Sequence, residues 1–156
     1  MHNAMNNHYL FDHAWDTFKA FDDLTVEGSG LDQAEFPTSI WQILRHLITW
    51  QAFQLRQLQG TMLAKPFQED ATWSRERVPS DEAVLQAAVQ EFKGQLAAFQ
   101  ASLTQPAATD EQELTKHQIL QEVALHLSFH LGEVVLIRRL KGSYPLPHQM
   151  KAFLQA

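Results

Sequence analysis

The histidines of this sequence have the clearest potential for chemistry, and their spacing matters more than their number. Of the eight histidines, His126 and His130 lie four residues apart in the segment His126-Leu127-Ser128-Phe129-His130. Residues at this spacing lie one turn apart on the same face of a helix, so two imidazoles can share one ion. A buried polar group without a partner costs about 1–3 kcal/mol, which a divalent cation would avoid. The pair therefore predicts a metal site, with two ordinary hydrogen-bonded histidines as the alternative.

A third ligand has to come from another element, and His46 is the best candidate. It lies near Ile43 and Trp50 at the edge of an apolar arc. Three neutral histidines leave open positions on an ion for water and substrate, as in catalytic zinc sites. Nickel, cobalt, manganese and iron accept the same ligands, so we predict a divalent ion, with zinc or nickel first. His13 and His117 are weaker candidates, and we assign both to the surface.

Glu133 is the one candidate for a catalytic acid or base. It follows His126 by seven residues and His130 by three, so on a helix it projects from nearly the same face as the pair. It could orient a ligand, act as a base toward bound water, or be a fourth ligand. A solvated glutamate at the edge of the face is the alternative. No segment resembles a phosphate-binding glycine loop or a serine nucleophile elbow.

Four amphipathic stretches have to position these side chains. In each of them apolar residues recur at three- and four-residue steps, which is typical of a helix, and no alternating strand pattern is present. The predicted helices cover residues 9–24, 38–59, 80–103 and 116–141. Thr115 with Gln118 forms a capping box before the last of them. The pattern predicts an all-α fold, a four-helix bundle with a long crossover connection, in a single domain over residues 1–156.

Residues 60–79 form the longer of two predicted loops. They contain Gly60, Lys65-Pro66, a run of charges, Trp73 and Pro79. A loop of about twenty residues is uncommon in a compact domain and often covers a site or crosses the end of a bundle. Trp41, Trp50 and Trp73 are expected to be core or lid residues.

The composition excludes several classes of protein. The chain has 156 residues, of which 45% are hydrophobic and 19% charged, so it is too apolar for intrinsic disorder. Its formal net charge of −6 has the wrong sign for binding nucleic-acid phosphates, and we expect no nucleic-acid partner. Because the chain has no cysteine, disulfides and iron–sulfur clusters are excluded, and a metal must be held by His, Asp or Glu.

No targeting or membrane segment is expected. The N-terminal ten residues are polar, without the basic-then-apolar order of a signal peptide. No stretch approaches the roughly 18 apolar residues of a membrane span. We therefore expect a cytoplasmic protein without a membrane partner.

Two segments carry a resemblance to a known family. They are Ser39-Ile40-Trp41-Gln42-Ile43-Leu44-Arg45-His46-Leu47 and His126 through Val134, continuing to Arg138-Arg139. Together they resemble the DinB-like superfamily of bacterial four-helix proteins. The pattern of that family is a histidine in the second helix and His-x-x-x-His in the fourth, followed by Gly and then Gln or Glu. The helix layout matches over about residues 9–145.

The resemblance implies a metal held by His46, His126 and His130, and a homodimer. Glu133 occupies the place where family members often carry glutamine. Activities known in the superfamily include metal-dependent transfer of low-molecular-weight thiols such as bacillithiol or mycothiol, a thiol-linked isomerase and a presumed hydrolase. The family name comes from induction by DNA damage and implies no contact with DNA.

We therefore expect a metal-dependent enzyme that activates a thiol or water as nucleophile toward a small-molecule substrate. A thiol S-transferase is the first hypothesis, with a low-molecular-weight thiol as partner, and a metal-dependent hydrolase is its alternative. A hypothesis from another class is a metal-binding or stress-response bundle without turnover, including a bundle that serves only for oligomerisation.

Overall fold

Every regular element in the described part of the chain is helical. The structure is a computed structural model, and it describes residues 7–30, 36–61 and 66–156. The α-helices are α1 (Val26–Ser29), α2 (Ile40–Leu58), α3 (Glu82–Ser102), α4 (Asp110–Leu140) and α5 (Met150–Gln155), with short 3-10 helices at Asn7–Phe11, Glu69–Thr72 and Pro147–Gln149. The predicted all-α bundle is confirmed.

Helices α2 and α3 begin and end close to the predicted positions because their start signals are local. Ser39 accepts a hydrogen bond from the Gln42 backbone N–H at 3.1 Å, and the Gln42 side chain accepts one from the Ser39 N–H. This is a complete capping box. At the start of α3, the Asp81 carboxylate accepts from the Val84 N–H at 2.9 Å.

The predicted start of the fourth helix at residue 116 is wrong, since α4 begins at Asp110. Thr109 is the cap and accepts a hydrogen bond from the Gln112 N–H at 3.2 Å. Acidic residues fill the first turn that follows, where they interact favourably with the helix dipole. Thr115 lies inside the helix and donates to the Glu111 carbonyl at 2.9 Å, so it caps nothing.

The predicted first helix over residues 9–24 is also wrong. The segment is a 3-10 helix followed by turns, and His13, Phe18, Lys19 and Asp23 have φ between 50° and 62°. Non-glycine residues adopt this left-handed region at a cost, and it cannot continue a right-handed helix. The apolar spacing remains useful, because Ala20, Phe21 and Leu24 are buried in the main core.

Helix α2 is the central helix and packs against both α3 and α4. The main cluster of buried residues joins these three helices to residues 20–24, and includes Ile43, Leu47, Phe92 and Leu127. A second cluster, around Phe99, Leu120 and Val123, extends the core along α3 and α4. Burial of this apolar surface is the main force that holds α4 against α2.

The chain after α4 folds back onto the irregular N-terminal segment. Gly142, at φ +70°, lies just after the helix, where glycine adopts the left-handed conformation without strain. The Tyr144 hydroxyl donates to the Phe18 carbonyl, and its ring packs on Phe153 in α5 at 5.3 Å between centroids. The Lys19 ammonium donates to the Phe153 carbonyl at 2.9 Å.

Helix α4 is long and apolar enough, by length and composition alone, to cross a membrane. This differs from the expectation that no stretch of the sequence is apolar enough to cross a membrane. A core helix of a soluble protein passes the same test, and α4 contributes Val123, Leu127 and Val134 to the buried clusters. One helix of this kind is weak evidence for a membrane span.

Candidate metal centre

The structure brings together the three histidines that the sequence proposed as ligands. His46 lies in the middle of α2, and His126 and His130 lie one turn apart on α4. The Nε2 atom of His126 is 3.0 Å from Nε2 of His46 and 3.1 Å from Nε2 of His130. One ring nitrogen from each histidine lies within 4.8 Å of the other two. This convergence results from the packing of α2 on α4.

His46 and His130 lie on the buried faces of α2 and α4. His46 is 1% exposed and lies among the buried residues Ile43 and Leu47. His130 is 4% exposed, next to Leu131 and Val134. Both rings therefore occupy positions of the core face that would otherwise be apolar, and their nitrogen atoms need partners.

A threonine from the long loop orients His46. The Nδ1 atom of His46 is 2.6 Å from the Thr72 hydroxyl, which is 2.6 Å from the Glu69 carbonyl oxygen. A carbonyl only accepts hydrogen bonds, so the Thr72 O–H donates to Glu69 and its oxygen accepts from the Nδ1–H of His46. The proton of His46 is then on Nδ1, and the lone pair of Nε2 faces the cluster. No local pattern in the sequence marks Thr72 as a site residue.

Glu133 orients His130 in the same way. Its carboxylate oxygen lies 2.5 Å from Nδ1 of His130 and accepts the Nδ1–H hydrogen bond. The lone pair of His130 Nε2 therefore also faces the cluster. The Glu133 carboxylate engages the ring nitrogen that does not face the other histidines, which corresponds to the orienting role among the three considered for it. Its catalytic role stays a prediction.

His126 completes a donor set that fits a cation. Its Nδ1 atom is buried and has no hydrogen-bond partner among the described residues. The Nε2 lone pairs of His46 and His130 both point at Nε2 of His126. A neutral His126 ring has only one N–H, so it can donate a hydrogen bond to at most one of them. A divalent cation accepts all three lone pairs at once, with the His126 proton on Nδ1. The three histidines could thus hold a metal ion.

The electrostatics of the cluster keep His46 and His126 neutral near pH 7. Burial lowers the pKa of His46 to about 3, and the neighbouring histidines lower it further in the same direction. Burial also lowers the pKa of His126 to about 4, with His130 as the second cause. A metal binds the neutral imidazole, so His46 and His126 are in the form that binds a metal at neutral pH.

Aromatic rings form the walls of the centre. Trp73 stacks on the His46 ring at 3.9 Å between centroids and 7° between planes. Trp50 packs on His126 at 4.2 Å, and Phe129 lies edge-on to His130 at 5.0 Å. Trp73 comes from the loop over residues 60–79, whose described part therefore covers the site. Trp41 is 3% exposed and belongs to the core.

The other candidate histidines do not join the cluster. His13 is exposed, and His117 is half-buried, where its Nε2 lies 3.1 Å from the Glu113 carboxylate. Within the described residues, the group that could hold a metal contains His46, His126 and His130 and no carboxylate.

Comparison with known proteins places the chain in a family but gives no close relative. A family model described as the DinB superfamily matches residues 10–134. No curated protein matches the chain, and no solved structure does. The matched residues include all three clustered histidines and span α1, α2, α3 and most of α4. The chain therefore belongs to the DinB superfamily.

Proposed function

We propose that this protein is a metal-dependent enzyme that transfers a low-molecular-weight thiol to an electrophilic small molecule. Its divalent cation, zinc or nickel, would be held by His46, His126 and His130. The observation that carries this proposal is the convergence of one ring nitrogen from each of three histidines within 4.8 Å, in a cluster without a fourth protein ligand among the described residues. A divalent ion on three neutral imidazoles keeps open positions and lowers the pKa of a thiol or water bound there.

The residues around the histidines have separate tasks in this proposal. Thr72 and Glu133 accept the Nδ1–H bonds of His46 and His130, and so hold two rings with Nε2 directed at the centre. Trp50 and Trp73 pack on the rings of His126 and His46 and exclude water from their faces. An aromatic wall of this kind suits an organic substrate better than a strongly hydrated one.

The position of Glu133 favours a thiol over water as the nucleophile. Hydrolysis uses a base that takes a proton from the attacking water, and the Glu133 carboxylate is already engaged by His130 at 2.5 Å. A thiol has an ordinary pKa near 8.5, so a modest lowering makes it a thiolate at neutral pH without a protein base. In the transfer, the thiol proton goes to solvent, a sulfur–carbon bond forms, and the bond from that carbon to its leaving group breaks.

We also propose that the protein acts in the cytoplasm. A reducing compartment keeps low-molecular-weight thiols in their free form. The chain has no cysteine, so it contains no disulfide that would need an oxidising compartment.

The first experiment measures metal content in wild-type protein, in the His126→Ala variant and in the His148→Ala variant. His148 is exposed and lies outside the cluster, so it is a matched control. We expect about one divalent ion per chain in wild type and in His148→Ala, and loss of the ion in His126→Ala. Absence of metal from reconstituted wild-type protein would overturn the proposal.

The second experiment tests the nucleophile directly. Cobalt-loaded protein is titrated with L-cysteine, and binding of the thiol is observed as a sulfur-to-metal absorption band. The loaded protein is then given L-cysteine with 1-chloro-2,4-dinitrobenzene, and separately p-nitrophenyl acetate without thiol. We expect the absorption band and a metal-dependent release of chloride, both lost in His126→Ala. Ester hydrolysis without thiol binding would identify a hydrolase instead, and a bound ion with neither activity would indicate a bundle without turnover.

A further inference from the structure

Two polar residues, Gln54 on α2 and Glu122 on α4, meet beside the metal centre. The Nε2 atom of Gln54 donates a hydrogen bond to the Glu122 carboxylate at 3.5 Å. Gln54 is 3% exposed, whereas Glu122 is an exposed residue. Because Gln54 is buried between the helices, this contact keeps one carboxylate oxygen of Glu122 next to the seam between α2 and α4. Neither residue has a task in the chemistry proposed above.

The pair lies one helical turn from the metal centre along this seam. At the centre, the Trp50 ring packs on His126 at 4.2 Å. Gln54 is four residues further along α2 than Trp50, and Glu122 is four residues before His126 on α4. Four residues of helix correspond to about 6 Å along its axis. A small molecule of moderate length can therefore contact the centre with one end and Glu122 with the other.

The polar atoms of the pair lack donors from the protein. The Oε1 atom of Gln54 is buried and has no hydrogen-bond partner among the described residues. Within the same residues, no lysine or arginine nitrogen lies within 4.0 Å of the Glu122 carboxylate. The carboxylate of Glu133, by contrast, is engaged by His130. Acceptors of this kind are completed by a ligand that brings N–H donors or a positive charge.

The surroundings favour an organic cation over a second metal ion. Hard metal cations take six or more oxygen ligands, and the pair offers one carboxylate and one amide oxygen. Trp50 is half-buried and lies one turn from Gln54 on the same helix. Aromatic rings attract alkylated ammonium groups, which are weakly hydrated, through the negative face of the ring. A carboxylate close to an indole ring is thus suited to an alkylammonium group.

We propose that Glu122 selects electrophilic substrates that carry an alkylammonium group about 6 Å from the carbon that reacts, one helical turn away. This inference rests on the proposed function, because it places the reacting carbon at the metal centre. Glu122 would bind the end of the substrate that does not react, and it is therefore a specificity-determining residue. Trp50 would line the path between the two ends.

The first test measures binding without any reaction. Zinc-loaded protein is titrated, with detection by NMR, with N-(2-trimethylammonioethyl)acetamide and with N-(3,3-dimethylbutyl)acetamide, which has the same shape without the charge. We expect wild type to bind the cation about fivefold more tightly, from an ion pair near the surface together with an aromatic face. Glu122→Gln should bind both amides equally. Glu111→Gln is the matched control, because Glu111 is exposed about three turns earlier on α4 and should keep the preference.

The second test measures the transfer with the corresponding chloroacetamides. Metal-loaded protein is given L-cysteine and one of three electrophiles, with a trimethylammonium, a tert-butyl or a sulfonate end. The sulfur of L-cysteine forms a bond to the chlorine-bearing carbon, chloride leaves, and the thiol proton goes to solvent. Each kcat/KM is divided by the rate constant for free L-cysteine. We expect about a fivefold preference for the cation in wild type, and a preference for the sulfonate in Glu122→Lys.

The two tests separate a failure of this inference from a failure of the proposed function. Equal kcat/KM for all three chloroacetamides in wild type, or a preference for the cation that persists in Glu122→Gln, would overturn the role of Glu122 and leave the transfer standing. Binding of the cationic amide that depends on Glu122, without reaction of any chloroacetamide, would support recognition of the cation and overturn the transfer. Absence of both preferential binding and reaction would overturn both.

Discussion

At the scale of single residues, hydrogen bonds from the Nδ1 atoms of the histidines decide which ring nitrogen is free to bind a metal. His46 and His130 each give their Nδ1 proton to an oxygen, from Thr72 and Glu133 respectively. Their Nε2 atoms are thereby left as acceptors that face His126. Glu133 was found from its spacing on the same helix. Thr72 was not, because a contact between residues 46 and 72 depends on how the intervening loop returns to α2.

Replacement of Thr72 by valine should weaken metal binding. Valine keeps the shape of threonine but removes the oxygen that accepts the His46 proton, so the ring loses its preferred tautomer and orientation. We expect affinity for zinc to fall about 10–100-fold, as for other partners of metal-binding histidines. The measurement is competition against a chromophoric chelator.

Thr72→Ser is the matched control for this prediction, because it retains the hydroxyl. It should bind zinc nearly as tightly as wild type. If Thr72→Val and Thr72→Ser bind equally well, then the hydroxyl does not orient His46.

At the scale of elements, the buried Arg138 explains why residues 18–24 are not a helix. Its guanidinium donates to the carbonyls of Ala20, Asp22 and Ser143 at 2.8–2.9 Å, and to that of Lys19 at 3.3 Å. In a regular helix, the carbonyls of Lys19, Ala20 and Asp22 would accept bonds from backbone N–H groups four residues further along. Arg138 satisfies them from α4 instead, so the segment can adopt turns with positive φ while Phe21 and Leu24 still reach the core.

Replacement of Arg138 by methionine should destabilise the protein by about 3 kcal/mol or more, since several buried carbonyls lose a charged donor. The free energy of unfolding is measured in urea, and hydrogen exchange over residues 18–24 should accelerate. Arg139→Met is the control, because Arg139 is more exposed and its hydrogen bond is to the Pro145 carbonyl. Equal losses for both variants would show that Arg138 does not organise the segment.

At the scale of the whole molecule, the two buried histidines with lowered pKa values, His46 and His126, make the stability of the fold depend on pH. In the metal-free protein, His46 and His126 have pKa values of about 3 and about 4, whereas an unfolded histidine has a pKa near 6.5. Well above pH 6.5, both histidines are neutral in the folded and in the unfolded chain, so they do not change the free energy of unfolding with pH. Below pH 6.5, His46 and His126 bind protons in the unfolded chain but stay neutral in the folded chain.

The stability of metal-free protein should therefore fall as pH decreases from 6.5 toward 4. Each of the two histidines contributes a slope that approaches about 1.4 kcal/mol per pH unit. Urea unfolding in the presence of a chelator is compared at pH 7.0, 6.0 and 5.0, all of which are above the ordinary carboxylate pKa of about 4.3. The His46→Gln/His126→Gln double variant should show a much flatter dependence. An unfolding midpoint that is the same at all three values would contradict the prediction.

Local patterns were sufficient for much of this protein. The helical spacing predicted α2 and α3 closely, because the signals that start these helices, the caps Ser39 and Asp81, are their neighbours in the chain. The four-residue spacing of His126 and His130 placed two imidazoles on one face for the same reason. His46 was proposed as the third ligand from its place at the edge of an apolar arc, and the family pattern agreed with that choice.

Contacts between distant residues decided the rest. The turns of residues 9–24 depend on Arg138 and Tyr144, the tautomer of His46 depends on Thr72, and the meeting of three Nε2 atoms depends on the packing of α2 against α4. Helix signals act over one or two turns, whereas these donors and acceptors are separated by 26 to 126 residues of chain. The apolar spacing of residues 9–24 identified buried side chains but could not show that their backbone carbonyls would be satisfied from another helix.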